Sequence, residues 1–219
     1  MTELLALSLL GGILVLDGTS VGQFMVSRPM VAGLLAGWVA GAPVEGFLVG
    51  ILLEVYLLVS FPVGGSRFPE GGPATVVAVA VAAASPAPGA VAVGVALGLI
   101  WGQLAALTVT ALRTFNGRLS PEPSGGRLTA RQVVGAHLAA IGLDLLRGTA
   151  VTAGGLVTGL AALRLAPLWP LGESDTRGFI LVGAAVSMGI LLRSFGGARK
   201  RGLLFATGLG AGALGGAFL

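Results

Sequence analysis

The sequence predicts an all-α membrane protein, a polytopic helical bundle with interrupted or re-entrant helices that forms a single integral membrane domain over residues 1–219. Of the 219 residues, 55% are hydrophobic and only 10% are charged, and the mean hydropathy is +0.96. Residues 71–112 contain no charged side chain, a stretch about twice as long as the roughly 20 apolar residues of a spanning helix. A soluble globule needs more polar surface than this composition supplies, so a soluble enzyme is excluded.

Charged residues and proline or glycine breaks divide the chain into nine apolar runs. Two of them, Gly89–Leu112 and Thr149–Pro167, are long enough to cross a bilayer alone. The other runs are Leu4–Leu16, Pro29–Ala42, Gly46–Val63, Ala74–Ala84, Val133–Leu146, Phe179–Leu192 and Leu203–Leu219. Runs of 11 to 14 residues favour half-helices, re-entrant segments or tightly joined pairs, and Val133–Leu146 is predicted to be interfacial or re-entrant. Interrupted helices are typical of transporters, whose binding sites use broken helix ends.

Basic residues are grouped around two breaks between apolar runs, at residues 113–131 and 193–201. Short loops rich in arginine and lysine face the cytoplasm in most membrane proteins. We therefore expect both clusters to be cytoplasmic, with two crossings between them and the C-terminus directed outward. The formal net charge of +4 is accounted for by this pattern and does not indicate nucleic acid.

Glycine supplies 38 of the 219 residues and recurs at every fourth position in several runs. The spaced sets are Gly33, Gly37 and Gly41; Gly46 and Gly50; Gly94, Gly98 and Gly102; and Gly208, Gly212 and Gly216. Small residues at this spacing allow close helix packing, within the chain or against another one. A general bias toward glycine and alanine is the alternative explanation.

Acidic residues inside the apolar runs are the candidate binding residues, because a carboxylate at the bilayer centre costs roughly 2.5 to 3.5 kcal/mol. Glu54 is the ninth residue of Gly46–Val63, a run without a basic residue, so we expect it at mid-membrane, contacting substrate directly and not in an ion pair. Asp17 closes the first run, and Glu70 follows a loop rich in glycine and proline.

Further polar residues accompany these acids. Gln23 is a candidate substrate ligand, while Arg28 and Arg67 are candidate partners that would orient the acids. Carboxylates and amides suit the hydroxyl groups of a sugar, and Trp38 or Trp101 could cover its apolar face. These tryptophans are more often interfacial or lipid-facing anchors.

Catalytic motifs are missing from the sequence. The chain has no cysteine and one histidine, so a metal site is not expected, and it has neither a phosphate-binding Gly-x-x-x-x-Gly-Lys-Ser/Thr loop nor a visible nucleophile and base. We therefore expect no catalytic residues and no cofactor.

Residues 14–84 carry motifs in an order that resembles a known family. They are LDGTSVGQFMVSRPMVAGLLAGWVAG, VEGFLVGILLEVYLL and FPVGGSRFPEGGPATVV, with a weaker match at His137 and Arg147. The stretch resembles the membrane-embedded IIC permease component of mannose/sorbose-type phosphotransferase systems. The Leu-Glu pair at Glu54 and the Pro-Glu pair at Glu70 belong to this match, whereas Gly41-Ala42 departs from an aspartate often found there.

The resemblance implies a sugar-translocating subunit of the bacterial inner membrane, crossing it several times. It further implies a IID membrane partner, and cytoplasmic IIA and IIB proteins that carry phosphoryl groups and phosphorylate the arriving sugar. The substrate-binding residues would be Asp17, Gln23, Glu54 and Glu70, supported by Arg28 and Arg67. A small-solute-binding membrane subunit of an ATP-driven importer and a non-transporting scaffold are the alternatives; mid-membrane acids argue against the scaffold.

Overall fold

The computed structural model of the chain describes residues 2–58, 60, 66–87, 89–121, 128–164, 172–194 and 210. Within these ranges the chain forms α-helices and one π-helical turn, without a strand. The helices are α1 (Thr2–Val15), α2 (Pro29–Val39), α3 (Pro43–Leu57), α4 (Gly71–Ala83), α5 (Ala90–Leu119), α6 (Ala130–Leu163) and α7 (Glu173–Ser194). The π-turn (Leu16–Ser20) continues α1. The predicted all-α class is confirmed.

Three helical segments in the described ranges are long and apolar enough to cross a membrane: Thr2–Ser20, α5 and α6. Two apolar helices, α2 and α4, have only 11 and 13 residues, fewer than the roughly 17 that a spanning helix needs. The bundle therefore combines full-length with short helices, as the broken apolar runs predict. The last run, Leu203–Leu219, lies outside the described residues except for Gly210.

The prediction that Val133–Leu146 is a separate interfacial or re-entrant piece is wrong. Helix α6 is continuous over 34 residues, so this run and most of Thr149–Pro167 form a single helix. Thr129 begins α6 with a capping box, in which its hydroxyl accepts from the Gln132 backbone N–H and the Gln132 side chain accepts from the Thr129 N–H. The polar residues Asp144 and Arg147 interrupt the apolar pattern without ending the helix, because they pair with each other.

The glycine spacing reflects close helix packing within the chain. Helices α2 and α3 meet at their glycines: a Cβ atom at Gly46 would lie 2.5 Å from the Gly33 carbonyl oxygen, and one at Gly50 would lie 2.5 Å from the Pro29 carbonyl oxygen. Likewise, a Cβ atom at Gly98 of α5 would lie 2.7 Å from the Ala74 carbonyl oxygen of α4. The packing interpretation is confirmed at these positions. Gly41 instead ends the α2–α3 turn with a positive φ of 69°.

Helix α4 is the centre of the bundle. Every residue from Gly72 to Ala82 is buried, and the helix is apolar on all sides, which is the pattern of a fully enclosed helix. It packs against α2, α3, α5 and α6. The N-terminus of α4 consequently lies among several other elements, beside the end of α1.

Candidate polar cavity at the broken end of α1

The helix α1 ends in a wide turn followed by a strained loop. The Val21 N–H donates to the Leu16 carbonyl oxygen at 2.8 Å, which closes the π-turn. Gln23 and Met25 then adopt φ values of 54° and 65°, a region that non-glycine residues rarely occupy and that costs about 1–3 kcal/mol for each residue. Asp17 holds this loop, because its two carboxylate oxygens accept from the Phe24 and Ser27 N–H groups, both at 2.7 Å.

A cavity of about 230 Å³ lies beside the π-turn. This volume is several times the ~30 Å³ that a water molecule occupies in the liquid, so a small polar solute can enter. Its walls come from the end of α1, the following loop, the end of α3 and the segment before α4. The polar lining residues are Asp17, Thr19, Gln23, Ser27, Arg28, Ser60 and Glu70, and Phe68 adds an aromatic ring.

Arg28 and Glu54, here called the Arg28 pair, form an ion pair next to the cavity. The second Glu54 oxygen accepts from the Met30 N–H at the start of α2 at 3.3 Å. The side chains of Arg28 and Glu54 are 23% and 18% exposed. The expectation that Glu54 is outside an ion pair is therefore wrong: its partner comes from another part of the chain, which a search along its own helix could not find.

Glu54 lies near the end of its helix, and its depth in the membrane stays a prediction. Helix α3 ends at Leu57, so Glu54 lies in the last helical turn and not in the middle of a helix. Glu54 is outside the cavity lining, whereas its partner Arg28 is part of it.

A second, larger polar cluster lies behind the cavity wall and comprises Ser20, Glu70, Thr108, Asp144 and Arg147; we call it the Arg147 network. The two terminal nitrogens of Arg147 donate to the two Glu70 oxygens, both at 2.7 Å. The Arg147 Nε and Nη2 atoms donate to Asp144 Oδ1 at 3.0 and 2.8 Å. Nη1 also donates to the Thr108 hydroxyl at 2.7 Å, and the Ser20 hydroxyl donates to Asp144 Oδ2.

The Arg147 network is more enclosed than the Arg28 pair. The Arg147, Glu70 and Asp144 side chains are 11%, 5% and 3% exposed. A guanidinium group has five N–H donors. All five donors of Arg147 have an acceptor within this cluster. Buried charges are tolerated only when they are paired and hydrogen-bonded in this way.

The predicted site residues fall into three groups. Asp17, Gln23, Glu70 and Arg28 all line the cavity, so the structure brings together residues that are far apart in sequence. Glu54 reaches the cavity only through Arg28. Arg67 is exposed, and Glu70 pairs with Arg147 instead of Arg67, because the guanidinium from α6 reaches Glu70 directly.

Sequence reasoning missed Asp144 and Arg147 as parts of a polar site. Their signal was present in the sequence: an acid and a base three residues apart between two apolar stretches, a spacing that places both on one helix face. The tryptophans are not in the cavity lining. Trp38 is 63% exposed, and the Trp101 indole N–H donates to the Val151 carbonyl oxygen at 3.1 Å.

A polar cavity at a broken helix, inside an apolar helical bundle, is the arrangement of a membrane transport protein. The model of the family described as the sorbose-specific IIC component of the phosphotransferase system matches residues 1–157, and the chain belongs to this family. It is a permease subunit of a sorbose/mannose-type phosphotransferase system, embedded in a membrane and associated with other components of that system.

Solved structures extend the comparison to the fold. A chain described as "Structure of membrane protein" superposes with a TM-score of 0.73 at 17% identity, over 97% of this chain and 87% of that one. At this level of identity the likeness shows the fold alone. No curated protein matches the sequence.

Proposed function

We propose that the cavity beside the π-turn is the sugar-binding site of this permease. The observation that carries the proposal is the convergence of Asp17, Gln23, Arg28 and Glu70 on one cavity next to a broken helix. Transporters commonly bind substrate where helices are interrupted, since unwound backbone and helix ends supply polar groups there. The sugar would cross by alternating access around this site.

The lining groups suit the hydroxyl groups of a sugar. Each carboxylate oxygen of Asp17 and Glu70 accepts a hydrogen bond from the protein and retains a lone pair that can accept from a hydroxyl. The amide of Gln23 both donates and accepts, and the Phe68 ring offers an apolar surface. Glu54 would act by holding Arg28 in place, and Arg67 would contribute outside the cavity.

The charge around the cavity favours a neutral substrate. The Arg28 pair, the Arg147 network and Asp17 together hold four carboxylates and two guanidinium groups. Arg113, whose guanidinium lies 6.0 Å from the centre of the Phe68 ring, adds a third, so negative charge exceeds positive charge by one. Two like unit charges about 4 to 8 Å apart repel by roughly 2–4 kcal/mol at an effective dielectric constant near 20. A phosphorylated sugar would therefore bind far more weakly than the free sugar, which would hinder its return after phosphorylation.

The subunit would work within a larger complex and carry no catalytic residues of its own. Its partners would be a IID membrane subunit and cytoplasmic IIA and IIB phosphoryl carriers. We place it in the bacterial inner membrane as a multi-pass protein of one integral membrane domain, with the two basic clusters facing the cytoplasm. An ATP-driven importer subunit, the alternative, is not favoured by the family to which the chain belongs.

Labelling of engineered cysteines tests the binding site, because the native chain has none. Thr19→Cys places a thiol in the cavity lining, and Thr114→Cys places one on an exposed part of α5 as the matched control. In membranes containing the complete complex, sorbose or mannose should slow maleimide labelling at position 19 and leave position 114 unchanged. Equal labelling with and without both sugars would contradict the proposed site, and slowing by sugar phosphates would contradict the charge argument.

The topology and the need for a partner have separate tests. Cysteines introduced at Gly117 and Gly197 should be labelled from the same side of the membrane, and labelling from opposite sides would overturn the assigned orientation. Reconstituted without a IID subunit, the protein should not accumulate sugar. Robust uptake by the chain alone would remove the proposed dependence on IID.

A further inference from the structure

Arg147 lies outside the cavity lining, yet it holds one of the lining residues by two hydrogen bonds. The fork of its terminal nitrogens faces the carboxylate of Glu70, with both N···O distances at 2.7 Å. This bidentate arrangement fixes the plane of a carboxylate as well as its position. Because Arg147 uses one lone pair on each Glu70 oxygen, the remaining lone pairs keep a defined direction.

The same guanidinium is tied to a second wall of the cavity. Asp144 accepts from Arg147 through one oxygen and from the Ser20 hydroxyl through the other. Ser20 is the last residue of the π-turn. Two other residues of this turn, Asp17 and Thr19, line the cavity. A chain of hydrogen bonds therefore runs from the α4 side of the cavity, through α6, to the π-turn.

Further contacts fix the position of the Arg147 guanidinium. Thr108 of α5 accepts its fifth hydrogen bond, and that hydroxyl in turn donates to the Ala105 carbonyl oxygen at 2.7 Å. Close packing supports the same contact between helices, since a Cβ atom at Gly148 would lie 2.9 Å from the Val15 side chain. The position of α6 relative to α1 is thereby set next to Arg147.

We infer that Arg147 is a positioning residue for sugar recognition, which sets the orientation of Glu70 and its distance from the π-turn. This inference rests on the proposed sugar site. The substrate class is a neutral sugar whose hydroxyl groups donate to Glu70 and to the π-turn at the same time. Arg147 itself does not touch the sugar.

Uptake of sorbose and mannose by cells carrying the complete complex tests this role. Arg147→Lys keeps the charge but loses the planar fork and two of the five donors. We expect the KM for uptake to rise about tenfold or more, equivalent to about 1.4 kcal/mol or more, with membrane abundance within about twofold of wild type. Arg177→Gln is the control, because its ion pair with Glu173 is exposed, and it should leave the KM unchanged.

A merely structural role gives a different result. If Arg147→Lys lowers abundance or maximal uptake while the KM stays at its wild-type value, the inference is overturned. If that variant does not reach the membrane, the triple variant Glu70→Gln, Asp144→Asn and Arg147→Gln removes all three charges together and keeps the shapes of the two acidic side chains. The triple variant should recover abundance with a raised KM, and a wild-type KM would again overturn the inference.

Sugar protection of Thr19→Cys separates this inference from the proposed site. If the site itself is wrong, sorbose and mannose do not protect the cysteine in the otherwise native chain. If only the role of Arg147 is wrong, the sugars protect it equally well with and without Arg147→Lys. The inference expects full protection in the first background and protection only at about tenfold higher sugar concentration in the second.

Discussion

The Arg28 pair and the Arg147 network are both ionic clusters beside the same cavity, but they differ in extent and burial. The Arg28 pair joins the loop before α2 to the end of α3, and its side chains are 23% and 18% exposed. The Arg147 network joins the π-turn, the start of α4, α5 and α6, and its charged side chains are at most 11% exposed. The first cluster joins two consecutive segments of the chain, and the second connects four elements.

The chain stabilises charges inside an apolar bundle in two different ways. In the Arg28 pair, one acid and one base balance each other. In the Arg147 network, two acids share one guanidinium whose five donors are all occupied, so no member can be removed without leaving a buried donor or charge unpaired. Losing one partner of a buried pair is therefore expected to cost more in the network than in the pair.

Replacing one acid of each cluster by methionine should show the largest difference in stability between the two clusters. Glu70→Met leaves two Arg147 donors buried without an acceptor, which should destabilise the fold by about 3–5 kcal/mol. Glu54→Met should cost about 1–2 kcal/mol, because its partner remains partly accessible to solvent. Thermal unfolding of the purified complex, followed by tryptophan fluorescence, compares the two. A melting temperature lowered more by Glu54→Met than by Glu70→Met would show that burial does not rank the clusters.

Exchanging the acid and the base within each cluster should separate the two clusters by their membrane expression. Arg28→Glu combined with Glu54→Arg keeps one acid and one base in contact, so we expect the protein to fold with part of its transport activity. Glu70→Arg combined with Arg147→Glu brings a new acid next to Asp144, three residues away on α6, and should abolish membrane expression. Immunoblots of isolated membranes measure both. Comparable expression of the two exchanges would contradict a shared-guanidinium network.

Transport affinity should respond to a milder change in the Arg28 pair. Glu54→Gln keeps the shape and one acceptor but removes the charge that holds Arg28 against the cavity. Glu54 is outside the cavity, so its effect on the sugar acts through Arg28. A charged hydrogen bond from a correctly held Arg28 to the sugar is worth roughly 1.5–3 kcal/mol, and its loss predicts a KM for sorbose or mannose raised by about tenfold to a hundredfold. Membrane abundance should stay near wild type. Lost abundance with an unchanged KM would make Glu54 purely structural.

The sequence predicts the helical class and four of the seven polar residues that line the cavity, because both depend on local signals. Broken apolar runs indicate the short helices, and acids at Asp17 and Glu70 stand out against an apolar background. Pairing between distant residues has no such signal. Arg28 and Glu54 are 26 positions apart, and Arg147 and Glu70 are 77 apart, so the partner of each acid became visible only once the helices were packed.

The same reasoning explains the error at α6. A charged residue in an apolar run indicates a helix boundary when the charge must reach water. Asp144 and Arg147 instead meet partners inside the bundle, so the helix continues through them.

The exposed ion pair of Glu173 and Arg177 is expected to contribute less to stability than either of the other two clusters. Its side chains are 77% and 72% exposed, and its N···O distance is 3.3 Å at an i,i+4 spacing on α7. Pairs of this kind contribute about 0.3–0.5 kcal/mol, because water solvates both charges when the contact opens.

Glu173→Gln should therefore shift the melting temperature by less than either Glu54→Gln or Glu70→Met, and the shift should shrink further as salt is added. Thermal unfolding at low and high salt measures it. A shift as large as that of Glu54→Gln would mean that Glu173 contacts another subunit in the complex, where the charge would be buried.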